Sequence, residues 1–581
     1  MFTRSRAILS AVFLLLGLAV ACTQQAPTPP TGATKSGGAN PVPTVAAPSS
    51  TASPATQSVA PADAPTISAK TAASPASSPQ TAPSPVASAA QGESKGTFVY
   101  GYHVALSPLY FDPQEVASVI TPWGFLYALH DGLVKSMPGQ PFAPSLAESF
   151  EIAPDLKSAT FKLRDGIKFH NGDPVTPEDV KFTFENYKGA SAKLLHDTTE
   201  RIDTPDARTV RFVFKAPFPD FLMLYGSPAT GAGWIVPKKY YEQVGPNGFK
   251  QRPIGAGPYK FVRFEAGKEL ELEAFADYWR KTPGVKTLIY RELTEDATRL
   301  AALEAGEVDA INLVAGTLID KVKENPTLQL APTLAAPFFL NFVGFEKPDN
   351  PFHDKRVREA ASLALDRQAL SEAETGGFSP VTNSWIPNDW PGALKGPEPR
   401  YDPDRAKQLL AEAGYPDGFE VEMVTPVPPY FSLGERVVTQ LRAVGIRSKV
   451  NQMERAAFIE RQTQKPTTFQ GIILNALGAP GDAANRIRNY ATCQGFSSVT
   501  CLPQLDEMFA KYEQSVDLQE REKLLNDVQQ YILDEHIYPP VYRLALVNAV
   551  GPRLANKWEE IFGSIPQYVY IGPYEDLMLR D

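Results

Sequence analysis

Two periodicities alternate along most of this chain. In FKLRDGIKFHNGDPVTPEDVKFTFE (Phe161–Glu185) apolar residues first recur at every second position, at Phe161 and Leu163 and, beyond a turn at Asp165-Gly166, at Ile167 and Phe169. Successive strand side chains point to opposite faces, so this spacing predicts short half-buried strands. The period then becomes helical. Thr176 stands at the N-cap position, Pro177 at the first helical residue, Glu178 and Asp179 in the first turn, and Val180, Phe184 and Tyr187 fall on one face.

The same grammar recurs downstream. From Thr294, Leu300 and Leu303 face inward, Gly306 ends the helix, and Glu307–Ile311 resumes as a strand. In YDPDRAKQLLAEAGYPDGFEVEM, Asp402 caps, Pro403 starts, Leu409, Leu410 and Ala413 pack, and Gly414 with Pro416 stops the helix. A further cycle runs from Gly434 through Leu441 and Gly445 into a strand over Ile446–Met453. Leu525, Val528 and Ile532 then mark a helix ahead of the strand-like Val541–Val550. Helices alternating with short strands predict α/β lobes. No fixed-period repeat is present.

None of this grammar appears before Gly96. Met1–Val20 has a basic start (Arg4, Arg6) and an apolar run from Ala7 to Val20, too short to cross a bilayer of roughly 30 Å comfortably and built like a cleaved export signal. It ends in Ala19-Val20-Ala21-Cys22, which resembles the bacterial lipoprotein signal and implies lipidation of Cys22 after removal of residues 1–21. From Thr23 to Ala90, 52 of 68 residues are Ala, Pro, Ser or Thr and none is aromatic. Such a stretch cannot bury enough apolar surface to offset its ordering entropy, so residues 22–95 read as a disordered tether, either a spacer or a leash across a cell wall.

The whole chain has 581 residues with 56 basic against 65 acidic side chains, and the part beyond the tether is the more acidic part. An acidic body lacks the basic footprint of nucleic-acid binding. Once Cys22 is set aside, Cys493 and Cys501 remain. An even pair in an exported chain reads as a local disulfide, with two buried thiols as the alternative. No second cysteine pair or His-x-x-x-His accompanies them to suggest zinc.

Catalytic motifs are missing. There is no G-x-x-x-x-G-K-[ST], H-E-x-x-H or G-x-S-x-G, and in Gly255-Ala256-Gly257-Pro258-Tyr259 a lysine, Lys260, stands where a nucleotide loop needs its third glycine. That segment reads as a turn entering a strand. Asp165 and Asp179 read as turn and cap residues rather than an acid/base pair. The six histidines show no ligand spacing, and no metal or other cofactor is expected. His103, which follows the first predicted strand, is the one placed to face a cleft.

Taken in order, GLV with PSLAESFEI, the Phe161–Glu185 segment, PIGAGPYKF with FADYW, LAALEAGEVDAI, RVREAASLALDRQAL and AKQLLAEAGYPDGF closely resemble the peptide/nickel family of bacterial extracellular solute-binding proteins. The resemblance runs collinearly over Gly96–Asp581. It implies an α/β, two-lobed periplasmic-binding-protein fold with an extra subdomain inserted in lobe I. Mapped onto this chain, lobe I takes 96–134, 229–312 and 546–581, the inserted subdomain 135–228, and lobe II 313–545, with crossings near residues 312 and 545. It implies a lipid-anchored, non-catalytic subunit, monomeric, at the outer face of the cell membrane or in the periplasm. That subunit captures oligopeptides or a similar polar solute for an ABC permease and its ATPase. An extracytoplasmic hydrolase, or a receptor or folding helper on the same scaffold, is the alternative.

Ligand pockets are mostly apolar and aromatic with a few polar groups. Position within the family layout nominates Trp123 and Tyr127 on lobe I, Tyr225 near the first crossing, Asn341 in a lobe II strand, and Trp385 and Trp390 in a loop-rich part of lobe II. The family's peptide binders hold the ligand's amino terminus with an acid in a Trp-x-x-Asp turn. The corresponding Phe469–Tyr490 has no tryptophan, and its only acid, Asp482, falls a few residues late. Either Asp482 substitutes for the missing anchor, or Arg486 and Arg488 meet an anionic group or lie on a solvated helix face.

Overall fold

The computed structural model describes residues 93–581 except 116–119, 477–480, 496, 566–567 and 581, together with a two-residue strand, Gln80–Thr81. The signal segment, Cys22 and nearly all of the 22–95 tether lie outside the described residues. Gln80–Thr81 falls inside the segment read as tether, and it pairs antiparallel with Ser149 and Phe150.

A nine-stranded mixed sheet carries the α/β architecture. Its spatial order is Val424–Pro426, Ile472–Asn475, Gln329–Phe342, Pro540–Val550, Ala310–Ile311, Lys95–Tyr102, Val285–Glu292, Glu269–Ala274 and Tyr259–Glu265. One end belongs to the lobe built on Lys95–Tyr102 and the other to the lobe built on Ile472–Asn475. At 14 and 11 residues, Gln329–Phe342 and Pro540–Val550 are the longest of the described strands. They pair antiparallel from Gln329 opposite Val550 to Leu334 opposite Ala545. The register then slips twice, so that Pro337 faces Arg543 and Phe339 faces Pro540. Such irregularities interrupt the ladder and bend the strand that carries them.

Val314, Ile319 and Val322 pack with Val99, Leu303 and Ala549 in one apolar cluster. Arg299 holds the chain there. Its buried guanidinium donates to the carbonyl oxygens of Leu293, Asn312 and Leu313 at 2.7–2.9 Å.

A separate antiparallel sheet, ordered Gln80–Thr81, Ala147–Ile152, Ser158–Leu163, Thr209–Phe214 and Thr199–Asp206, has its own core of Phe161, Phe184, Phe212, Phe221 and Tyr225. The capped segment read from the sequence forms the helix Pro177–Asn186. The Asp179 carboxylate accepts from the Thr176 backbone N–H at 2.9 Å and from the Lys238 N–H at 2.9 Å, so it is occupied as a cap. Aspartate N-caps start later helices too, among them Asp402 on Pro403–Glu412 and Asp517 on Leu518–Asp534.

Three strand readings change in detail. Of Glu307–Ile311 only Ala310–Ile311 is a strand, and Ile167–Phe169 carries only an isolated bridge from Lys168 to Pro174. The strand expected over Ile446–Met453 is only Ile446–Arg447, because its partner Phe419–Glu420 is two residues long, after which the chain moves across to make an isolated bridge from Val450 to Val424. The Gly255–Tyr259 turn does enter a strand, Tyr259–Glu265, and its glycines are needed for close approach. A Cβ on Gly255 would lie 2.0 Å from the Leu129 carbonyl oxygen, and one on Gly257 would lie 2.5 Å from that of Ala128.

Candidate functional site

Where the strand Lys95–Tyr102 ends, a cavity opens. Tyr102, His103, Trp123, Asn312 and Tyr570 line it together with Ala336, Trp390, Val427, Tyr430 and Arg455, and Leu544 and Leu546 come from the strand Pro540–Val550. It holds about 830 Å³ of atom-free space, its open mouth included. A neighbouring cavity shares His103, Tyr430 and Leu544 with it and is lined by Leu313–Thr317 and by Tyr542 and Ala545. The acids Glu295, Asp296 and Glu374 line this second space.

Local geometry fixes the first cavity's walls. The His103 backbone N–H donates to Asn312 Oδ1 at 2.8 Å, tying the end of one strand to the end of another. Tyr570 has a left-handed backbone, φ 64°, and Leu313 in the neighbouring cavity has φ 51°. A non-glycine residue held there costs on the order of 1–3 kcal/mol and persists only where its surroundings over-determine it. Burial, helped by the nearby charges of Arg455 and Arg299, pushes the His103 imidazole down to about 3, so it is neutral at physiological pH. Burial likewise pushes the Tyr430 hydroxyl up to about 12.

Of the residues nominated from the sequence, the structure brings His103, Trp123 and Trp390 to this cavity. The other seven are not among the described residues that line it, each for a physical reason. Tyr127 donates to the Ser136 carbonyl oxygen and lies under the Lys135 ammonium, which Asp131 holds at 2.6 Å. Tyr225 is stacked on Phe221 in the smaller sheet's core. Asn341 is buried in the strand Gln329–Phe342. Trp385 packs on Tyr538 and Phe339.

Asp482 is the N-cap of the helix Ala483–Tyr490, accepting from the Asn485 backbone N–H at 2.9 Å and from its Nδ2 at 2.6 Å, and burial pushes its carboxyl up to about 6. Arg486 and Arg488 do not lie on a solvated face. Arg486 is fully buried, with Phe339, Trp385, Trp390 and Tyr490 within 6 Å of its guanidinium, and burial pushes it down to about 10. Arg488 is bound to Asp220 and Glu513.

Sequence reasoning missed Asn312, Tyr430, Arg455 and Tyr570. Only Asn312 carried a signal, since it sits at the crossing expected near residue 312. The other three occupy segments with no periodic or motif context.

The model of "Bacterial extracellular solute-binding proteins, family 5 Middle" matches residues 141–498. The chain belongs to family 5 of the bacterial extracellular solute-binding proteins. Proteins of this family are binding proteins rather than enzymes, and they hand small ligands to ABC permeases. Among its relatives this family 5 chain is 26% identical over 433 residues to the glutathione-binding protein GsiB of Salmonella typhi, covering 71% of this chain and 83% of that one. It is 25% identical over 511 residues to heme-binding protein A of Haemophilus influenzae, covering 82% and 92%. Its fold matches that of the PBP AgaA of A. tumefaciens R10, solved in complex with agropinic acid, with a TM-score of 0.69 and 25% identity over 84% of this chain and 99% of that one. The two-lobed α/β fold is therefore established. Among the described residues no helix is long and apolar enough to cross a membrane.

Proposed function

We propose that this chain is the lipid-anchored solute-binding subunit of an ABC importer, held to the membrane through Cys22 and capturing a small polar solute between its lobes. The observation that carries the reading is the cavity itself: its walls come from both lobes, so a solute inside touches both. Only a ligand with that double contact favours a closed form over an open one. The expected layout is proposed here with one change: lobe I keeps 96–134, 229–312 and 546–581 and the inserted subdomain 135–228, but residues 313–334, whose Val314, Ile319 and Val322 pack with Val99 and Ala549, join lobe I, so that lobe II begins at the register slips. The bend is placed at the register slips between Leu334 and Phe339 opposite Pro540–Ala545, where the two shared strands lose their regular ladder. His103, Trp123, Asn312, Trp390, Tyr430, Arg455 and Tyr570 are the proposed ligand contacts.

The test is mass spectrometry of small molecules released when the protein, purified from its native host, is denatured. A single solute released in near-stoichiometric amount supports the reading. A protein that releases nothing, and that no member of a library of peptides, sugars and metal chelates stabilises against heat, contradicts it.

A further inference from the structure

The first cavity is unbalanced in charge and in hydrogen-bonding capacity. Arg455 is the one charged side chain among the described residues that line it, and no carboxylate does. Arg455 Nη1 donates to the Pro428 carbonyl oxygen at 2.6 Å, and no described acid pairs with it. Trp123 and Trp390 also line the cavity, at 2% and 5% exposure, and neither indole N–H has a protein acceptor. An indole nitrogen and a guanidinium can only donate. Behind Trp390 the buried Arg486 adds a second positive charge, with Nε and Nη1 also lacking acceptors. Residues 116–119, 477–480 and 566–567, which flank lining positions in sequence, read VASV, LGAP and PQ and contribute no acid.

A cavity with a cation, unpaired donors and no anion is matched to an acceptor. A buried ammonium placed there would meet the like charge of Arg455 with only neutral oxygens and the neutral His103 to offset it, at a cost that disfavours it. A carboxylate or phosphate would satisfy the guanidinium, which presents parallel N–H groups to such oxyanions. The apolar walls leave the rest of the solute to be aromatic or aliphatic.

Resting on the reading of the chain as a solute-binding protein, we infer that its solute carries an oxyanion received by Arg455 and an apolar body lying against Trp123 and Trp390. Peptides presented by a free amino terminus are then poor ligands.

Three probes that share one phenyl ring and differ in charge test this by calorimetry: N-acetylphenylalanine, phenyl phosphate and phenylalaninamide. The inference predicts that one or both anions bind at least tenfold more tightly than the cationic amide. Which anion binds identifies the oxyanion as carboxylate or phosphate. Arg455→Gln should remove most of that preference, while Arg436→Gln, in the neighbouring cavity, should leave it. The ranking in the wild-type protein needs no variant, so it stands even if Arg455→Gln fails to fold. Tighter binding of the amide, or a preference unchanged in a folded Arg455→Gln protein, overturns the inference and leaves the binding-protein reading intact. If no probe binds, the charge of the solute released on denaturation decides: an anion supports the inference and a cation or neutral solute overturns it. No probe bound and no solute released overturns both.

Discussion

Asp220 and Arg488 meet at 2.8 Å although 268 residues separate them. Asp220 precedes the helix Phe221–Tyr225 in the proposed subdomain, and Arg488 lies in the helix Ala483–Tyr490 of the proposed second lobe. Arg521 donates to the same carboxylate at 2.5 Å, and both arginines are largely shielded from water. One acid thus binds two cations across the lobes, and in the proposed mechanism that contact exists only when they are closed. Asp220→Asn should therefore speed solute release and weaken affinity at least tenfold, since removing one member of a shielded pair acts mainly on dissociation. Stopped-flow tryptophan fluorescence measures the rate, and a wild-type rate in the variant contradicts the role.

His130 should make the protein sensitive to acid. It is fully buried, neither ring nitrogen has a hydrogen-bond partner, and burial with the neighbouring His170 pushes its imidazole down to about 3. Below about pH 6.5 the unfolded chain binds a proton here that the folded chain refuses, so stability falls as pH falls from about 6.5 towards 3. Relative to His130→Gln, the wild type should lose about 1.4 kcal/mol per pH unit in that window. Denaturant unfolding at pH 7, 5.5 and 4.5 checks it, and a difference independent of pH contradicts it.

Cys493 and Cys501 are joined in the structure. Closing so short a loop should contribute about 2.5 kcal/mol by chain entropy. Thiol counting on the unfolded, unreduced mature protein should find neither free, and reduction should lower the denaturation midpoint. Two alkylatable thiols would show that the bond does not form in the cell.

Cys22→Ala should release the protein from the membrane fraction, because the Ala/Pro/Ser/Thr stretch behind it has no apolar surface to hold it there. A variant that stays with membranes through a salt wash contradicts lipid anchoring.

How much of this is legible in the sequence depends on whether the signal is local. Capped helices such as Pro177–Asn186 and Pro403–Glu412 announce themselves within ten residues, because cap, first-turn acid and apolar face lie close in sequence. The strand Pro540–Val550 is likewise a near-continuous apolar run, as burial on both faces requires. The cavity is different. Trp123 and Trp390 draw notice as large aromatics, but so does Trp385, and only tertiary packing decides that one faces Tyr538 while the others reach the cleft. Nothing local in the sequence shows that Arg455 lines the cavity while Arg486 is sealed behind Trp390.

The central claim is that a solute closes two lobes over the cavity lined by Trp123, Trp390 and Arg455. Solution X-ray scattering of the tetherless protein, residues 93–581, tests it most directly, first stripped of solute by unfolding and refolding and then saturated with the solute that denaturation releases. The account predicts a smaller radius of gyration on saturation, and a smaller change in Asp220→Asn at the same solute concentration. Tight binding with no change in the radius of gyration would contradict closure as the mechanism of capture.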